Sequence, residues 1–146
     1  MQMGKEQYKA LYTAAMPRSR VGRDSAIAFS VGGFICVLGQ LIMNLFLMID
    51  DMTRETASLL MSLTLIAAAA ILTGLGLYDK ISRHAGAGTL VPITGFSNSV
   101  VAPALEFKSE GFILGTGAKM FVIAGPVLVY GTAASVAAGI IMLILK

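Results

Sequence analysis

The 146-residue sequence has no tryptophan, one cysteine and one histidine. A lone Cys36 closes no disulfide within the chain and reads as a small packing residue in an apolar run. One histidine and one cysteine cannot make a typical zinc site unaided. Charge is scarce too, at 13% of residues, where a soluble domain carries roughly 25%. A chain this short has a large surface for its volume and would need polar groups to cover it in water. Lipid must do the covering instead.

Enzyme signatures are missing as well. Gly95-Phe-Ser97-Asn-Ser99 has serine where a nucleophile elbow closes on glycine. Gly86-Ala-Gly88-Thr-Leu-Val91 lacks the last glycine of a dinucleotide loop, and Gly115-Thr-Gly117-Ala-Lys119 lacks phosphate-loop spacing. No enzyme activity, cofactor or metal is expected. No nucleic-acid module is recognisable, and none is expected as a partner.

Hydrophobic residues make up 56% of the chain, and their distribution predicts an all-α membrane protein, a small helical bundle. Residues 1–24 form a basic tail holding Lys5, Lys9, Arg18, Arg20 and Arg23. Within it Tyr8, Leu11, Tyr12 and Met16 have helical spacing, which predicts a short interfacial helix ended or bent by Pro17. Residues 25–146 form the polytopic membrane domain. Ile27 to Ile49 and Ala57 to Leu77 are charge-free and long enough to span, since a bilayer core takes about 20 helical residues. The first run starts too late and is too long for a cleavable signal, so none is expected. Basic residues gather before the first span and at Lys80–Arg83, while Asp50, Asp51 and Glu55 mark the loop between the spans. The positive-inside rule puts the N-terminus and the Lys80–Arg83 loop on the cytoplasmic side.

Ala85 to Leu105 is also free of charge before Glu106, yet it contains Gly86, Gly88, Pro92, Gly95 and Pro103. Proline removes a donor and glycine weakens a helix. The segment therefore predicts a broken or re-entrant element, interrupted around Val91–Gly95 at Pro92 and Gly95. Irregular backbone at membrane depth survives only inside protein or beside a water-filled cavity. Thr94 is placed to cap a following half-helix, with Ser97 and Asn98 facing a polar interior. Whether the element crosses or returns is open, and the side of the C-terminus with it. Beyond Gly111 the Gly125-Pro126 pair predicts a shorter helix over Phe112–Ala124, a break, and a span from about Val127 to Leu145.

Polar groups at membrane depth are the candidate site. Gln40 and Asn44 lie four apart on one face of the first span, where they either hydrogen-bond between helices or line a path. Lys119 is the single charge between Gly111 and Leu145; it either faces an interior or snorkels to the surface. Thr94, Ser97 and Asn98 complete the set, beside free N–H groups that a half-helix would aim at the break.

Several of these stretches resemble one family. Val31-Gly-Gly-Phe-Ile-Cys36 with Gly39-Gln40, Leu72-Thr-Gly-Leu-Gly-Leu-Tyr-Asp79, Ala85-Gly-Ala-Gly-Thr-Leu-Val-Pro-Ile-Thr-Gly-Phe-Ser-Asn98 and Ala104-Leu-Glu106 with Lys108-Ser-Glu-Gly111 are similar, in order, to the stage V sporulation protein A group. The resemblance runs from about Phe29 to the end. It implies the inner membrane of the forespore or spore. It implies a channel subunit that moves dipicolinic acid, with calcium, into the spore and out at germination. It also implies a complex with the membrane protein AE and the soluble, thiolase-like protein AD of that group. Two other roles fit the same residues: a scaffold subunit that lines no pore, and a tension-gated pore with little selectivity.

Overall fold

The computed structural model describes residues 4–15 and 20–145, and all regular structure among them is helical. Met16, Pro17 and Arg18 of the tail lie outside the described residues. Among the described residues, helix α1 (Lys5–Ala15) packs extensively on no other element. Helix α2 (Val21–Leu47) and helix α3 (Arg54–Gly74) form an antiparallel pair. At about 1.5 Å per residue both are long enough to cross a bilayer, and both are apolar enough.

Local chemistry explains where these helices stop. The turn between them carries Asp51 at φ 64°, a left-handed position that the short aspartate side chain tolerates. Thr53 caps α3, its hydroxyl accepting a bond from the Thr56 amide at 3.3 Å. At the other end Gly76 (φ 67°) closes α3: its N–H donates to the Thr73 carbonyl and the Leu77 N–H to the Leu72 carbonyl. That is a Schellman closure, and it stops α3 short of the charge-free run's end at Leu77.

Three short pieces follow: α4 (Tyr78–Ala85), α5 (Ala87–Leu90) and α6 (Ile93–Glu106). Their contacts trace a hairpin. Gly88 rests against Ala28 and Gly32 of α2. Pro92 lies beside Cys36 and Gly39, a few turns further along α2, and Ile93 lies beside Met61 and Leu65, midway along α3. From there α6 runs back alongside α3: Ser97 donates to the Ile66 carbonyl at 2.9 Å, Asn98 meets Thr73, and Glu106 shares a cleft with Asp79 and Ser82. The chain thus enters the bundle at the end of α3, turns at Val91–Pro92 at mid-depth, and returns to the same side.

A 3-10 turn (Lys108–Glu110) and a six-residue π-helix (Phe112–Gly117) lead into α7 (Ala118–Ile144). Lys119, Val122 and Ile123 sit against Pro103 and Phe107, so α7 runs antiparallel to α6. With 27 residues it is long enough to end at the level of the Asp50–Glu55 loop. The expected break at Gly125-Pro126 is absent, because α7 continues through Pro126. Proline costs one intrahelical bond, but in lipid a wider break would strand more backbone groups, and membrane helices tolerate it.

Apart from Tyr78, the apolar core is built of small residues: Ala57, Ala69, Ala85 and Ala124 are buried, with Gly39, Gly88, Gly95 and Gly115. Close backbone approach replaces the large side chains of a soluble core, as is common between membrane helices.

Candidate solute path at the re-entrant hairpin

The turn of the hairpin owes its shape to two residues. Pro92 (φ −69°, ψ 164°) is the N-cap of α6 and provides no side-chain cap. It has no N–H of its own and biases Val91 away from the helical region. Gly95 lets the two arms touch: a Cβ there would lie 2.5 Å from the Thr89 carbonyl oxygen and 2.6 Å from that of Leu90. The Tyr78 hydroxyl donates to the Thr89 carbonyl at 2.8 Å and fixes the ascending arm to α4.

Helix α6 therefore begins at mid-depth. Among the described residues, the amides of Ile93 and Thr94 make no backbone hydrogen bond. These are the unpaired groups at the positive end of a helix dipole. Thr94 does not cap the helix as expected, since the helix starts one residue before it. The residue is 7% exposed, and its hydroxyl has no hydrogen-bond partner among the described residues. A buried hydroxyl without a partner is uncommon and leaves a donor available to a ligand or water.

The other expected residues lie in three places. Gln40 lies near the turn, lining a cleft with Ser62, Pro92 and Ile93. Its amide donates to Asn44 at 2.8 Å, and both side chains are exposed on the outer face of α2. The pair bonds along its own helix and not to another. Further along α6, Ser97 is satisfied by the Ile66 carbonyl. Asn98 accepts a bond from the Thr73 hydroxyl at 2.9 Å and lines a polar cleft with Asp79, Ser82 and Glu106. This cleft opens at the end of the bundle where the hairpin enters.

Lys119 stands apart from the turn. Its ammonium lies 4.6 Å from the centre of the Phe107 ring, near the far end of α6. A cation over an aromatic face is held by the ring quadrupole. Of the polar residues Gln40, Asn44 and Lys119, Gln40 is the one that lines the cleft beside the turn. Thr73, Tyr78 and Phe107 were not foreseen as site residues. Their partners are 25, 11 and 12 positions away, and no local periodicity marks such contacts. Among the described residues no three histidine, cysteine or carboxylate side chains gather closely enough to hold a metal ion.

The hairpin turn also faces out of the chain. Leu90 is 67% exposed and Val91 85%, and Gln40 and Asn44 are exposed on the adjoining helix. No hydrogen bond reaches the Leu90 or Val91 carbonyl among the described residues. Backbone groups of this kind cost several kcal/mol each against hydrocarbon.

Comparison with known proteins agrees with the resemblance in the motifs. No solved structure matches the chain. Stage V sporulation protein AC of Bacillus subtilis (strain 168) is 43% identical over 137 residues, which cover 94% of this chain and 91% of that protein. Residues 24–141 match the profile described as SpoVAC/SpoVAEB sporulation membrane protein. With three helices able to span a membrane and a match over most of its length, the chain belongs to the SpoVAC/SpoVAEB family of sporulation membrane proteins.

Proposed function

We propose that this protein is a channel subunit that passes dipicolinate, with calcium as its accompanying ion, across the inner membrane of the forespore and spore. The observation that carries this reading is the start of α6 at mid-depth, beside the unpartnered Thr94 hydroxyl, on a turn that faces outward. Dipicolinate is a rigid, flat dianion. Unpaired N–H groups at a helix N-terminus attract such an anion without the full charge that would trap it.

Because the turn and the Gln40–Asn44 pair face out of the chain, one copy does not enclose the path. It forms where several subunits meet. The family resemblance names the membrane protein AE as a neighbour and the soluble protein AD as a further component. The basic residues of the tail and of Lys80–Arg83 support a cytoplasmic location for that end of the bundle, by the positive-inside rule. In this reading the chain moves a solute and catalyses no reaction.

The test is reconstitution into liposomes, with and without the AE partner. Dipicolinate efflux faster than that of neutral solutes of similar size is the expected result. Efflux that ignores the solute and appears only under osmotic stretch replaces this reading with a tension-gated pore. Absence of flux in every combination, with assembly intact, replaces it with a scaffold.

A further inference from the structure

We propose that α1 is a docking surface for anionic lipid, lying in the membrane interface on the side where the re-entrant hairpin enters. Three observations lead there. First, α1 carries one apolar stripe that the described residues leave uncovered: Tyr8, Leu11 and Tyr12 are 64%, 57% and 51% exposed. At 100° per residue these three fall on one side of the helix. Second, Lys5 and Lys9 lie one turn apart along the flank of that stripe. An apolar strip edged by lysines, with tyrosines that favour the headgroup level, suits a leaflet of negative charge.

Third, the helix is tethered. Five residues, 16–20, separate it from α2, which spans the membrane. Six backbone steps reach at most about 20 Å. Helix α1 therefore remains close to the bilayer surface. Arg20 and Arg23 at the start of α2 are also exposed and extend the basic cluster to the membrane boundary. Basic residues clustered beside a span draw anionic lipid, and the attraction fades within a Debye length. A stripe bound to an acidic protein would use the same lysines but would not need the tether.

The chain has no tryptophan, so Tyr12→Trp introduces a single fluorescent reporter into the full-length protein. It would be reconstituted into nanodiscs of phosphatidylcholine alone and of an equal mixture with phosphatidylglycerol. In the mixture the indole emission should shift to the blue and be quenched by brominated lipid. Both effects should be lost in Lys5→Glu/Lys9→Glu and weakened by high salt. Circular dichroism and yield of that variant check that the bundle is intact. Solvent-exposed emission in both lipids overturns the proposal. So does quenching of equal strength in both, or a shift that needs an added soluble protein.

Discussion

At Gly95 the absence of one methyl group sets how closely two backbones approach. A Cβ would lie within 2.7 Å of three backbone atoms of the ascending arm, none of which can swing aside. Overpacking of this kind costs about 1–3 kcal/mol, and here it would push the arms of the hairpin apart. Gly139 on α7 is the control, because a Cβ there meets nothing within 4 Å. Gly95→Val is therefore expected to reduce dipicolinate flux in liposomes severalfold, and Gly139→Val to leave it near wild type. The reverse order would move the path away from the hairpin. Lys119 makes a separate test. It sits over Phe107, near the end of α6 far from the turn. If it draws anions toward the path, Lys119→Met lowers anion flux at unchanged complex yield. Equal flux in mutant and wild type removes Lys119 from the site.

The elements show what was legible in the sequence and what was not. Two uncharged runs gave α2 and α3 to within a turn at most ends, because charge and the closure at Gly76 are local signals. The interruption near Pro92 was legible for the same reason, since proline and glycine act on their own backbone. The direction of the chain after the turn was not. It depends on Gly88 meeting Ala28 and on Ser97 reaching Ile66, contacts between distant residues that leave no pattern. Pro126 misled in the other direction, since its helix-breaking tendency is weaker than the demand for paired backbone in lipid. Single cysteines in a Cys36→Ser background test the path of the chain. Lys80→Cys and Ser109→Cys should react with an impermeant thiol reagent from one side of the membrane. Asp51→Cys and Leu145→Cys should react from the other. Labelling of positions 51 and 109 from the same side would show that the hairpin crosses and does not return.

The molecule as a whole leaves its most irregular backbone uncovered. The apolar half of α7 beyond Pro126 can face lipid, but the turn at Leu90–Pro92 cannot do so without stranding polar groups. Neighbouring subunits or water must therefore meet that face. Val91→Cys is the direct probe, because the side chain is exposed and the turn lies at mid-depth. In the assembled complex it should cross-link to a neighbouring subunit or react with a small water-soluble thiol reagent. Complete inertness to both, with the same residue reactive in the detergent-solubilised single chain, would place it against lipid and sink the proposed path.

With a hairpin that returns, the three helices long enough to span give an odd number of crossings, and the described residues begin and end on opposite sides of the bundle. That parity governs how copies can be joined. Two copies linked end to end by a short soluble peptide cannot both take the same orientation: the second would insert upside down or fail to insert. A concatemer built to count subunits around a path needs one extra transmembrane helix in its linker. The same parity means that a tag at the C-terminus reports on the compartment that the basic tail does not see.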